Sequence, residues 1–223
     1  MKIDKTTFTF LSQLKKNNDK IWFENHKVDY KQHNELFQQF CNEVFQHLSK
    51  ADQLEGVKVF RIYRDVRFSS DKTPYKTNFG ASFSRVKPYL RGGYYLHIEP
   101  GNNFVGGGFW EPNPEDLKRI RQEIAADPKP LQKIQSAKIF KEYFGALSGD
   151  QLKTMPRGFD AGLPGEDLIR RKQYLVMRRF DDKAVCSDDF VQQVVKTFKA
   201  MRPFFDYMSM VLTTDSNGES LLK

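Results

Sequence analysis

Apolar side chains keep a helical period up to about residue 50 and a period of two from residue 57. That switch confines the chain to folds that pack helices on a sheet. Over 19–50, Trp22, Phe23, Tyr30, Phe37, Phe40, Val44, Phe45 and Leu48 fall mostly on one broad face of a long predicted helix. Gly56 is expected to end the helical region. In 57–68 (VKVFRIYRDVRF), Phe60, Ile62, Val66 and Phe68 share one face of a predicted strand, and Arg61, Tyr63, Asp65 and Arg67 the other.

The same reading extends in both directions. Residues 6–16 predict a helix capped by Thr6 or Thr7, with Phe8, Leu11 and Leu14 as its stripe; Asn17-Asn18-Asp19 stops and restarts the chain. Strands are expected over 79–86, over 94–99 and over 104–110. In the second of these Tyr94, Leu96 and Ile98 oppose Tyr95, His97 and Glu99, and Pro100-Gly101 supplies the turn that follows. Asn113 and Pro114 open a helix closed at Asp127-Pro128, and more helix follows to about 144. A turn-rich loop spans 145–168, a strand 173–180, and a last helix begins after Ser187-Asp188-Asp189, with Pro203 expected to kink or break it. No repeat or linker divides the chain. The expected fold class is α+β: a single domain over 6–212, with a largely antiparallel sheet and flanking helices. Residues 213–223 are expected to form a disordered polar tail.

Composition excludes several classes. Apolar residues are 39% of the 223, enough for one core, so the body of the chain is not intrinsically disordered. No apolar run approaches the roughly 18 residues of a membrane span. The start MKIDKTTF has no apolar signal region. Cys41 and Cys186 form no CxxC pair, which suits a reducing cytoplasm. His26 and His33, seven apart, make no metal-ligand set, and Gly106-Gly107-Gly108 lacks the pattern of a phosphate loop. No cofactor or metal is expected, and the oligomeric state stays open.

The net charge of +8 is unevenly placed. Residues 57–93 hold nine Lys/Arg against only Asp65 and Asp71, while the segments on either side are close to balanced. A focused positive patch attracts anions. If the strands near 60–67 and 94–99 share a sheet, Arg61, Tyr63, Asp65 and Arg67 join Tyr95, His97 and Glu99 on one surface. Arg61 and Arg67, with Lys72 and Lys76, would clamp a phosphate or carboxylate. Tyr63, Tyr75 and Tyr95 would line the site, and either the long helix 19–50 or the 145–168 loop with Arg157 would wall it. Asp65, His97 and Glu99 are the acid–base candidates if there is catalysis. The same residues could instead satisfy one another as a structural network. Tyrosines interleaved with basic residues also fit a stacking platform for single-stranded nucleic acid. A third reading is a protein-interaction module that docks an acidic partner.

The string FRIYRDVRFSSDKTPYKTNFGASF, with GGYYLHIEPGNNFVGGGFW and MPRGFD, resembles a largely bacterial family catalogued as domain of unknown function 2461. The ends LKKNNDKIWFENHKVDY and FKAMRPFFDYM resemble that family's ends, so the likeness covers roughly 6–212 as one unit. Residues 86–91 depart from the pattern. The resemblance implies no particular reaction or substrate. Its central block adds Arg64, Ser69, Asp71 and Thr77 to the candidate ligand-binding residues.

Overall fold

A computed structural model describes residues 2–215 and 217–222. Asp4, rather than Thr6 or Thr7, caps α1 (Lys5–Lys16): its carboxylate accepts the Thr6 amide at 2.7 Å. Asp19 caps α2 (Lys20–Asn25) in the same way. The single helix expected over 19–50 is two, because α3 (Lys27–Leu48) restarts after His26, which leaves helical geometry at φ −114° and ψ 18°. There the His26 ring stacks on Trp22 at 3.9 Å and its Nδ1 bonds the Trp22 carbonyl oxygen at 2.8 Å.

The strands are β1 (Leu54–Val59), β2 (Phe79–Arg85), β3 (Gly93–Ile98), β4 (Asn103–Phe109) and β5 (Tyr174–Phe180), all antiparallel, in the spatial order β1-β2-β3-β4-β5. Between β4 and β5 lie α4 (Pro114–Ala126), α5 (Lys129–Ser136), α6 (Lys138–Phe144) and the short α7 (Glu166–Ile169). The short α8 (Asp182–Val185) precedes α9 (Phe190–Thr213). This is a single α+β domain, and no described helix is long and apolar enough to cross a membrane.

Three local expectations are corrected. Gly56 does not end a helix; it lies inside β1 beside a bulge. Pro203 does not break α9, which continues to Thr213. Burial of Ala200, Met201, Phe204 and Phe205 around the proline outweighs its local cost of ~3 kcal/mol. The strand expected over 57–68 ends at Val59. After it, the Phe60 amide still donates to Gly80, and then the facing segment is no longer a strand partner. Tyr63 bridges Tyr75, and the Arg64 amide donates to the Pro74 carbonyl oxygen, but Pro74 has no amide to return. The ladder stops, and residues 60–78 form a loop. Phe68, assigned to an apolar face, is 96% exposed.

After α9 the described residues of the polar 213–223 stretch turn back. Thr214 pairs with Ser220, and Arg119 of α4 donates to the carbonyl oxygens of Thr214 and Asp215.

The sheet has one covered face. Phe79, Ala81 and Phe83 of β2, Tyr94, Leu96 and Ile98 of β3, and Val105 of β4 are buried under α3 and α9. Phe37 stacks on Phe79 at 5.4 Å, and Tyr94 meets Phe198 at 4.8 Å. Gly107 lets α9 approach: a Cβ there would lie 2.8 Å from Phe205 and 2.9 Å from Met201. The other face carries Lys58, Ser82, Tyr95, Gly106 and Met177 in one cross-strand row, and Gly80, His97, Phe104 and Arg179 in the next. Of the helices packed on the sheet, α9 contacts both α3 and α6 on the covered side, so the second face lacks a helical layer among the described residues.

Candidate functional site

The 60–78 loop is held from both ends. Asn18 makes two hydrogen bonds to the Tyr75 backbone, at 2.9 and 3.1 Å, and Phe23 stacks on the Tyr75 ring at 3.9 Å. Tyr75 is therefore buried in the core, whereas Tyr63 remains 41% exposed. Inside the loop, Arg64 binds the Asp71 carboxylate and the Thr73 hydroxyl, with Ser69 Oγ at 3.5 Å. Asp71 also accepts the Thr73 amide and hydroxyl at 2.9 and 2.8 Å. Arg64, Ser69 and Asp71 thus brace the loop.

The Thr73 amide, followed by Arg64 and the Thr73 hydroxyl, holds the Asp71 carboxyl at about 2. The ionised form is the one the loop binds. Its contribution is present above the ordinary value of 3.8 and is lost as pH falls through about 2. An NMR titration is expected to place the Asp71 midpoint near that value. Arg64→Gln is expected to move it upward; an unmoved midpoint would assign the whole effect to Thr73.

Asp65 does not face the sheet. It chelates Arg67, Nε at 3.0 Å and Nη2 at 2.7 Å, and that pairing holds the carboxyl below its ordinary range. The pair is exposed beside Phe68. Lys72 donates to the Val66 carbonyl oxygen at 3.0 Å. Arg61, Tyr63, Asp65 and Arg67 therefore do not form the row expected on a strand face.

Four of the nine cations in 57–93 are neutralised by carboxylates: Arg64 by Asp71, Arg67 by Asp65, Arg85 by Asp52 and Asp206, and Arg91 by Asp116. Lys58, Arg61, Lys72, Lys76 and Lys87 have no ion-pair partner among the described residues. Three of these gather around Phe60. Lys58 and Lys76 sit 5.9 and 5.6 Å from its ring, and Lys76 donates to the Arg61 carbonyl oxygen at 3.0 Å. Burial and then the nearby Arg61 charge lower the Lys76 pKa. The Phe60 ring is 6.2 Å from Tyr95, which brings this cluster onto the uncovered face.

On that face Tyr95, His97 and Glu99 do come together, as the alternation predicts. His97 stacks on Phe104 at 4.6 Å. Its Nε2 lies 3.4 Å from Glu99, and its Nδ1 lies 3.0 Å from the Tyr95 hydroxyl and 3.4 Å from the Asn78 amide. Burial, partly offset by Glu99, lowers the His97 pKa, so the ring is neutral at pH 7. Nε2–H then donates to Glu99, and Nδ1 accepts. Glu99 also accepts from Thr77 and Asn102, each at 2.8 Å. Burial pushes the Glu99 carboxyl up, but these donors together outweigh it and hold it below its ordinary range. Both ring nitrogens and both carboxylate oxygens are occupied. The arrangement orients the aromatic row.

Arg157 is elsewhere. It lines a cavity with Pro112 and Pro114, which follow the Phe109 end of β4, whereas the loop adjoins the Ile98 end of β3. Six residues of β3 separate the two ends by roughly 20 Å. Two residues that the sequence reasoning missed belong to the face: Phe104, read only as part of a hairpin strand, and Arg179, whose Nη1 donates to Asn102 Oδ1 at 2.8 Å. The two-residue alternation of 104–108 and 175–179 was the available signal. Among the described residues no group of three or more His, Cys, Asp or Glu could hold a metal.

A family model described as "Conserved hypothetical protein (DUF2461)" matches residues 6–207. No curated protein and no solved structure matches the chain.

Proposed function

The chain belongs to the conserved hypothetical family DUF2461, and we propose that this member binds single-stranded nucleic acid across the uncovered face of its sheet. The observation that carries the reading is the pairing of an aromatic row with cations that have no carboxylate. Phe60, Tyr95 and Phe104 supply the rings, with His97 stacked against Phe104, and Lys58, Arg61, Lys76 and Arg179 flank them. Bases stack on rings whatever their sequence, and the flanking charges track phosphates. From β1 to β5 the sheet offers roughly 19 Å of such surface. A small anion would be better served by a concave pocket, and this face is a sheet surface. A cytoplasmic location belongs to the same proposal and suits two cysteines that are both unpaired thiols.

Fluorescence anisotropy with a labelled single-stranded oligonucleotide tests it. Four phosphate contacts are expected to give a slope of log K against log salt of about −3, from about −0.7 per contact. Lys76→Gln is expected to make the slope shallower by one contact. Phe104→Ala is expected to cost about 1–3 kcal/mol of binding with the slope unchanged. A flat salt dependence, or binding untouched by Lys76→Gln and Arg179→Gln together, would overturn the proposal. Binding of inorganic phosphate in place of the oligonucleotide would return the site to a small anion.

A further inference from the structure

The sequence motif MPRGFD plays no part in the sheet face, yet it forms one wall of a separate cavity. The Phe159 amide donates to the Pro156 carbonyl oxygen at 3.2 Å, and Gly158 has φ +89°. A turn with a left-handed third residue takes glycine there and leaves Arg157 at its corner. Opposite stands α4. Its Leu117, Lys118, Arg121 and Gln122 lie on one helical face at spacings of three and four. Together with Pro112, Pro114, Gly158 and Phe159 they line a half-open cleft of about 420 Å³, a volume in the range of small-molecule sites.

The chemistry of the lining is one-sided. Lys118, Arg121 and Arg157 contribute three cations, and no Asp or Glu lines the cavity. Arg121 is fixed by donating from Nη2 to the Arg171 carbonyl oxygen at 2.9 Å, while its buried Nε has no hydrogen-bond partner. Neither Lys118 nor Arg157 has an ion-pair partner among the described residues. Pro112, Pro114, Leu117 and Phe159 supply apolar wall. Arg121, the one of the three that is partly buried, keeps a buried donor without a partner, which is costly, and a bound anion beside the exposed Lys118 and Arg157 would remove that cost.

We infer that this cavity binds a small oxyanion, a phosphate or carboxylate, carried on a compact apolar body. The three cations hold the anionic head, and the prolines, Leu117 and Phe159 cover the rest. The site is independent of the sheet face, because Arg157 and Lys76 lie at opposite ends of the sheet.

Isothermal titration of the full chain with phenyl phosphate, benzoate, phenol and inorganic phosphate tests the inference. One or both of phenyl phosphate and benzoate should bind, and the stronger of the two names the head group. Phenol should bind neither site component well enough to measure, and inorganic phosphate should bind more weakly than phenyl phosphate. Arg157→Gln and Lys118→Gln are each expected to weaken the anionic probe by roughly tenfold or more. Both are exposed side chains, so the variants should fold, and oligonucleotide binding should be unchanged in them. Absence of binding by both aromatic anions, or binding that both variants leave intact, overturns the proposal. Equal binding of inorganic and phenyl phosphate overturns the apolar part of it.

Discussion

Replacing Arg85 with methionine is expected to lower the unfolding free energy by about 3–5 kcal/mol, the usual result of stranding a buried charge. The Arg85 side chain is fully buried. Its Nε lies 2.8 Å from Asp52 Oδ2, a charge contact without hydrogen-bond alignment. Its Nη2 donates to Asp52 Oδ1 at 3.2 Å and to Asp206 Oδ1 at 2.5 Å, and Nη1 donates to the Arg91 carbonyl oxygen at 3.1 Å. Burial opposes the charged guanidinium, but the two carboxylates prevail and raise its pKa. Asp52 is equally buried and also receives the Tyr94 hydroxyl. One cluster therefore ties the residues after α3 to β2, β3 and α9. Urea unfolding followed by both fluorescence and circular dichroism measures the loss. Adding Asp52→Leu to Arg85→Met is expected to restore part of it, since no carboxylate is then left unpaired; Tyr94 and Arg202 still lose a partner. A loss below about 1 kcal/mol in the single variant would show that the cluster does not hold these elements together.

Gly108→Ala is the second large effect. Gly108 has φ +133°, and a Cβ there would overlap the Tyr174 carbonyl oxygen in the neighbouring strand β5. The conformation costs an L residue about 1–2 kcal/mol. The clash is against backbone, which cannot swing away, and overpacking adds about 1–3 kcal/mol. A total near 2–5 kcal/mol is expected, read as a fall in urea midpoint and in soluble yield. Gly101→Ala provides the comparison: φ is +74°, but the added methyl meets open space, so only the conformational share should appear. Equal losses at the two positions would refute the packing argument.

Much of the fold was legible because it is written locally. The alternation of Tyr94 to Glu99, the Asn113–Pro114 start and the strand over 173–180 all need only their own residues. The 60–78 loop was not. Alternation records where side chains would point on a strand, not whether a partner strand exists, and beyond Val59 the segment keeps only the isolated Tyr63–Tyr75 bridge. The charge count misled in a similar way. Arg85 and Arg91 swelled the +7 excess of 57–93, yet their acids, Asp52, Asp206 and Asp116, stand 33, 121 and 25 residues away in the chain. Summed charge along a sequence cannot see neutralisation across a fold. Of the candidate site, Tyr95, His97, Glu99, Arg61, Thr77 and Lys76 do gather at one end of the sheet. Arg64, Ser69 and Asp71 brace a loop, Tyr75 belongs to the core, and Arg157 serves another cavity.

The order of the elements also sets a schedule for synthesis. Strands β1 to β4 are complete by Phe109, but α9, which closes much of their apolar face, ends only at Thr213. A ribosome adding ~5–20 residues per second needs roughly 5–20 s for that interval. Throughout it, Tyr94 has no Phe198 or Phe205 to pack on, and β4 has no α9 against it. The apolar face of the sheet is therefore finished last, by the element the ribosome makes last.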